Sequence, residues 1–458
     1  MNSKSNTQAM ETEKVPCLLA QLAIPAVVAQ VINLLYNIVD RIYIGHIPGE
    51  GSLALTGVGV CMPIIMIVSA FAALVSSGGA PRASIYMGKQ DNKSAENILG
   101  NCFILQIIIS VILTAILLIW GRDLLLAFGA SENTISYATD YMHIYAFGTL
   151  FVQLTLGMNA FITAQGFTTF SMVSVLIGAV CNIVLDPVFI FVFHMGVRGA
   201  ALATVISQAI STLWVVLFLC GKKTQLHLRK KHLHLEAKVV LPCIALGLAA
   251  FIMQSSESIV TVCFNSSLLR YGGDIAVGAM TILTSVMQFA MLPMQGIGQG
   301  AQPIMSFNYG AGKIDRVKKA FRAALTVGAG VSVAAFALFQ LFPREIISMF
   351  GDGTEEYFEF GVNFFRIFLF FTWLNCLQPI ASTFFTSIGK SIKGAFLSLT
   401  RQIIFLLPPM IVLPLFMGID GILWAGPFAD LLSAAAAIIL IAVEFRIMKR
   451  QAAEKGTA

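Results

Sequence analysis

Between residues 17 and 446 the sequence returns repeatedly to long stretches with almost no charge, each separated from the next by a short polar turn. A helix needs about 20 apolar residues to cross the hydrocarbon of a bilayer. The chain offers a dozen such stretches: 17–44, 53–79, 96–119, 137–163, 169–193 and 198–220, then 238–269, 275–303, 317–342, 358–388, 392–417 and 421–446. A water-soluble core cannot hide this much apolar surface, since 57% of the residues are hydrophobic and 11% charged, against about 25% charged in soluble domains. The expected fold class is all-α integral membrane, with twelve transmembrane helices.

The charges follow the membrane. With the N-terminus placed inside, every basic residue falls on the inner side except Arg41, Arg122, Arg198, Arg270, Arg344 and Arg366, a bias that predicts cytoplasmic termini in a plasma or inner membrane. The net charge of +6 is therefore no sign of nucleic acid; the expected partners are lipid and small molecules, with a monomer as the working unit. Met1 to Val15 is polar and carries no cleavage site, so the first helix itself is expected to direct insertion. The eight cysteines stand singly, without a CxxC pair, and indicate neither a disulfide framework nor a zinc site. His227, His232 and His234 sit in a basic loop suited to anionic headgroups rather than to a metal.

That loop divides the chain into an N-terminal tail (1–16), a first lobe (17–220), a linker (221–237), a second lobe (238–446) and a C-terminal tail (447–458). The halves repeat each other. LAIP at Leu22 to Pro25 returns as VVLP at Val239 to Pro242, and the same offset carries Asp40 onto Glu257. Gly88-Lys89-Gln90-Asp91 returns as Gly312-Lys313-Ile314-Asp315, and Met195-Gly196-Val197-Arg198-Gly199 as Met417-Gly418-Ile419-Asp420-Gly421. Each repeat holds an even number of spans, so the copies share one orientation and are related by an axis along the membrane normal, as in two-lobed secondary transporters.

Against this apolar background the polar residues stand out. Gln30, Asn33, Asn37 and Asp40 share one face of the first span. An ionisable group at that depth costs several kcal/mol and normally faces a bundle interior or a water-filled cavity. Asn182 and Asp186 stack four apart on the fifth span, where Pro187 kinks the helix and frees a carbonyl. Thr204 follows on the sixth. Counted from the outer ends of their helices, Asp40, Asp186 and Thr204 all lie roughly 9 to 12 Å deep. Two acids that close must share a proton or a cation, and this set of hard oxygen ligands suits Na⁺ and passes a proton equally well.

The second lobe reads differently. Gln254, Glu257 and Thr261, then Gln288 with Gln295, Gln299 and Gln302, then Asn375, Gln378, Ser382 and Thr386 form polar stripes that suit a wet passage or interhelical contacts. Arg401 and Asp430 lie deep and are expected to pair, either with each other or Arg401 with Glu257, and the duplicate of Asp186-Pro187 reads Pro408-Pro409. Met280, Met287, Met291 and Met294, with Phe364, Phe365, Phe368, Phe370 and Phe371, offer an adaptable lining for substrate.

Through the twelve-span duplicated plan, the Pro25-to-Asp40 helix, the Gly88-Lys89 and Gly312-Lys313 loops and the Asn182-to-Pro187 motif, the chain resembles the bacterial branch of the multidrug and toxic compound extrusion (MATE) transporters over essentially its whole length. The resemblance implies a first-lobe cation site at Asp40, Asn182, Asp186 and Thr204, with Tyr36, Tyr141 and Asn159 as neighbours. It also implies export of amphipathic cationic drugs by alternating access, in exchange for Na⁺ or H⁺ and without a bound cofactor. Members that use a second-lobe cation site carry an acid on span 10, where this chain has Asn375; Glu257 is retained. Two other readings compete. A lipid-linked oligosaccharide flippase would want a basic central groove, whereas this chain puts acids at membrane depth. An intramembrane enzyme would need a nucleophile and base or a metal centre, and the spans hold no HExxH, no Gly-x-Ser-x-Gly and no clustered His.

Overall fold

Pro16 opens the first long helix, α1 (Val15–Gly45), and His46 closes it. α2 (Gly51–Gly88), α3 (Asn92–Ala127), α4 (Ile135–Ala164), α5 (Thr168–Pro187) and α6 (Val197–Cys220) complete the first half. The computed structural model describes residues 9–349 and 355–456; inside helices the side chains of 249, most of 258–282, 356–357, 391 and 451–456 lie outside that description. The second half holds α7 (Ala237–Gly310), α8 (Ile314–Leu341), the short α9 (Pro343–Ser348), α10 (Glu355–Phe368), α11 (Leu377–Ser387), α12 (Ser391–Leu399), α13 (Leu407–Met417) and α14 (Ile419–Gly456). Eleven helices among the described residues are long and apolar enough to cross a membrane.

Two spans were expected between 238 and 303, and the structure gives one unbroken 74-residue helical element, α7. It cannot be straight. Cys243 packs its backbone on Gly78, and the Pro303 carbonyl accepts from Ser84 Oγ at 3.5 Å, so both contacts fall within two turns of α2. Sixty residues of straight helix would separate Cys243 from Pro303 by about 90 Å; the element therefore doubles back and supplies both spans.

The tenth span departs further. Instead of one helix over 358–388, α10 ends at Phe368, a short 3₁₀ turn covers Thr372–Leu374, and α11 starts at Leu377. Pro379 lacks the N–H that would bond the Asn375 carbonyl, and the break falls at Asn375. Spans 5 and 11 each contain a π-helical segment, Val188–Val192 after Pro187 and Thr400–Leu406 before Pro408.

The duplication is visible in the backbone. Gly196 (φ +55°, ψ −132°) precedes α6, and its duplicate Gly418 (φ +61°, ψ −137°) precedes α14. These are conformations that only glycine adopts without strain.

The halves meet through pairs of small residues. A Cβ on Gly88 would stand 2.0 Å from the Phe307 oxygen, and one on Gly310 would stand 2.0 Å from the Ile85 oxygen; the reciprocal contact makes Gly310 the structural duplicate of Gly88, two residues before the Gly312 that the loop sequence suggested, because both helices end there and the left-handed residues Gln90 and Gly312 follow. Gly78 against Cys243 and Gly247 against Leu74 are likewise copied as Gly300 against Ala23 and Gly296 against Val27. The axis relating the halves therefore passes between them. The last set pairs Ala23 with Cys243 and Val27 with Gly247, a register of 220 that puts Glu257 opposite Asn37. Glu257 is thus one turn away from the Asp40 equivalence expected from LAIP and VVLP.

All these approaches lie toward the end of the bundle that carries both termini. There the residues before α1 dock on the second half: Arg316 donates to the Met10 and Glu13 carbonyls at 3.0 and 2.8 Å, and Lys313 bonds Glu11 at 2.7 Å. The linker docks on the first half, where the Gln165 side-chain oxygen accepts from Gln225 and Leu226 N–H and Glu96 accepts from His227 N–H. Asp91 caps α3 by accepting from Ser94 N–H at 3.1 Å, and the Ser94 hydroxyl together with that N–H lowers its carboxyl pKa from the ordinary value.

Candidate cation site

Three helices of the first half converge on one cluster. α1 brings Asp40, α5 brings Asn182 and Asp186, and α6 brings Thr204; Asp40, Asn182 and Asp186 are buried, at 7%, 2% and 0% exposure. Asn182 Nδ2 donates to Asp186 Oδ1 at 3.3 Å and to Thr204 Oγ1 at 3.4 Å. The carboxyls of Asp40 and Asp186 lie close enough to interact directly with each other. The shared depth read from the sequence thus corresponds to a shared place.

What the cluster lacks is donors. Asp40 Oδ1, Asn182 Oδ1 and Asp186 Oδ2 are buried and accept no hydrogen bond from any described residue. Buried polar atoms are satisfied in the great majority of cases, and three unpartnered acceptors on neighbouring residues of one cluster leave it short of donors or positive charge. All the ligating atoms are hard oxygens, and among the described residues no cluster of three or more His, Cys, Asp or Glu exists. Carboxylate, amide and hydroxyl oxygens of this kind suit an alkali cation or a proton.

A cavity of about 60 Å³ adjoins the cluster, walled by Asn33 and Tyr36 of α1, Ala179 and Asn182 of α5, and Thr204 and Gln208 of α6. It has room for a few waters or a partly hydrated ion, and it is far below the roughly 300 Å³ at which drug-sized pockets begin. Ser207, Gln208 and Ser211 follow Thr204 at three, four and seven residues along the same face and also reach this wall. Sequence reasoning stopped at Thr204 and missed them, although the helical spacing was there to extend.

The supporting residues divide. Tyr36 lines the cavity, and Tyr141 reaches Thr204 with its hydroxyl while stacking on Tyr145 at 6.2 Å. Asn37 turns back on its own helix, its Nδ2 bonding the Asn33 carbonyl at 2.6 Å. Asn159 donates to the Ser171 carbonyl at 3.4 Å, tying α4 to α5. Pro25 lies inside α1 without interrupting it, and Pro187 ends α5 directly beside Asp186.

In the second half Arg401 pairs with Asp430 through Nε (3.1 Å) and Nη2 (2.7 Å). The Asn375 amide, oriented as its neighbours require, donates to both Asp430 oxygens at 3.1 Å. Glu257 bonds Gln402 and faces Arg401 electrostatically. Gln378 bonds Ser398 at 3.2 Å, and Gln288 is exposed. Of the expected aromatic and sulfur lining, Phe364, Phe365 and Met294 are buried in the core, Phe370 is exposed, Met287, Met291, Phe368 and Phe371 are half-buried, and the side chain of Met280 lies outside the described residues.

Comparison with known proteins agrees with this architecture. The MatE family model matches residues 25–188 and again 247–411, so the same model recognises each half. The multidrug export protein MepA of Staphylococcus haemolyticus (strain JCSC1435) is 23% identical over 419 residues, covering 92% of this chain and 91% of that protein. A solved outward-facing conformation of a multidrug resistance MATE family transporter of the MOP superfamily superposes with a TM-score of 0.89 at 22% identity, over 97% of this chain and 99% of that one. A MATE crystal structure in the bent conformation gives 0.91 at 22% identity, over 98% and 99%. With each half matched in turn and the whole bundle superposed, the chain belongs to the MatE family of multidrug and toxic compound extrusion transporters and is a multi-pass membrane transporter, not an enzyme.

Proposed function

We propose that this protein is a secondary antiporter that exports amphipathic, often cationic compounds in exchange for Na⁺ or H⁺ taken up at Asp40, Asn182, Asp186 and Thr204. The observation that carries the reading is the trio of buried oxygens without donors, Asp40 Oδ1, Asn182 Oδ1 and Asp186 Oδ2. Two touching carboxyls cannot both stay ionised without a compensating positive charge. A coupling cation that binds one lobe arrangement better than the other drives the exchange between them. The small cavity, which Asn182 and Thr204 wall, gives the ion room beside the two carboxyls, and the substrate belongs between the lobes.

The lobes 17–220 and 238–446 are taken to move as units about the linker 221–237, in a single chain that carries the complete site. The end bearing the termini is read as cytoplasmic, in the plasma or inner membrane, which makes the arrangement closed inward. Taken up from outside in the outward-open state, the ion neutralises Asp40 and Asp186, and α1 then bends or repacks about Pro25 and expels substrate. Acids rather than a basic groove at membrane depth argue against a pyrophosphate-carrying flippase.

The test is uptake of a fluorescent cation into everted vesicles under separate Na⁺ and H⁺ gradients. Uptake driven by one gradient and lost in D40N and D186N variants that still reach the membrane supports the reading. Uptake indifferent to both gradients, or retained in full in both variants, refutes it.

A further inference from the structure

The duplicated turn at Gly196 and Gly418 fixes the register of the flanking helices in the two halves, and the cavity wall of the first half can be carried onto the second at the same offset. Ala179 maps onto Arg401 and Gln208 onto Asp430, while Ser211 maps onto Ser433. Ala179 and Gln208 wall the 60 Å³ cavity beside the cation cluster. Their counterparts form the Arg401–Asp430 ion pair, with Asp430 5% exposed and the Arg401 side chain 27% exposed. Where the first half has a small residue and open space, the second has a guanidinium.

We infer that Arg401 is a built-in cation: its guanidinium holds, in the second lobe, the position an exchangeable Na⁺ or proton holds in the first, and so confines ion coupling to the first lobe. The two polar clusters differ in the way this requires. The first leaves three buried oxygens without a donor. In the second, Asp430 receives Arg401 Nε and Nη2 as well as the Asn375 amide, so its charge is already met. Glu257 faces the same guanidinium. Arg401 is also placed by local structure: the π-helical segment Thr400–Leu406 carries it, and Pro408-Pro409 follows where the first half has Asp186-Pro187. A tethered cation cannot leave, so this lobe is insensitive to the ion gradient. Arg401 acts here as a specificity-determining residue rather than as a ligand of the transported ion.

This inference rests on the reading of the first-lobe cluster as the ion site, and the experiment separates the two. ²²Na⁺ binding and proton release are measured on purified full-length protein in four forms: the parent, D40N/D186N, D40N/D186N/R401A, and the last with D430N added. Loss of cation binding in D40N/D186N tests the first-lobe reading alone; unchanged binding there overturns it. The inference predicts that R401A restores one monovalent cation site, filled by Na⁺ or a proton, and that D430N removes it again. R401A that binds no cation, or binding that survives D430N, overturns the inference.

A reciprocal variant decides the matter if R401A does not fold. A179R/Q208D transplants the pair into the first lobe and is expected to abolish cation binding with Asp40 and Asp186 intact. Parent-level binding in that variant overturns the proposal.

Discussion

Replacing Asp186 with Asn separates a working ion site from a merely structural hydrogen bond, because the two readings demand opposite effects on stability. Asn is nearly isosteric and its side-chain oxygen still accepts the Asn182 Nδ2 bond seen at 3.3 Å. Its own NH₂ can then donate toward Asp40, whose Oδ1 has no donor among the described residues. The variant also removes the repulsion between two touching carboxyls. Its thermal stability in detergent is expected to equal or exceed that of the parent.

Cation affinity moves the other way. A carboxylate about 4 Å from a bound cation contributes about 4 kcal/mol at an effective dielectric of roughly 20, which is about 10³-fold in affinity. ²²Na⁺ binding or proton release on purified protein, paired with fluorescent-cation uptake in everted vesicles, measures both consequences. A D186N protein with cation affinity within about tenfold of the parent refutes the argument, since ~1.4 kcal/mol per decade leaves no room for a lost ligand. So does one that loses stability and affinity together.

Three further outcomes follow from the geometry. Gly88→Val places methyl groups where a Cβ alone would stand 2.0 Å from the Phe307 oxygen. Overpacking of about 2 kcal/mol would shift the lobes away from closure at the terminus-bearing end by about 30-fold, read as longer spin-label distances across that end with export lost. Gly196→Ala and Gly418→Ala should each cost about 1–3 kcal/mol and by similar amounts, since their backbones match; thermal unfolding of each variant checks this, and a large inequality would break the claimed equivalence of the two turns. Arg316→Ala removes donors to Met10, Glu13 and Asn308, and amide hydrogen exchange over residues 9–14 should accelerate while the cation site is unaffected.

Much of the site was legible in the chain's polar pattern. Three polar residues at one depth on three apolar helices needed only a rise per residue and the cost of burying charge, and Asp40, Asn182, Asp186 and Thr204 do meet. Residues such as Asn37 and Asn159 share the right composition but bond to nearby backbone instead. A helical wheel gives the face a side chain leaves from, and it does not give the partner that reaches it first. Gln208 escaped for a different reason: it stands one turn beyond Thr204 on the same face of α6 and lines the same cavity, so the spacing that placed Thr204 also placed it.

The sequence by itself determined the apolar spans, the repetition of one half by the other and the class of atoms available to hold an ion. These depend on local composition and on periods of a few residues. Tertiary structure alone decided that α7 doubles back as one helical element, that Glu257 stands a turn away from the Asp40 equivalence, and that Arg401 chooses Asp430. The first two turn on how closely distant backbones approach, which glycines such as Gly78 and Gly247 set by packing against carbonyls far along the chain, and the third on which carboxylate the guanidinium meets.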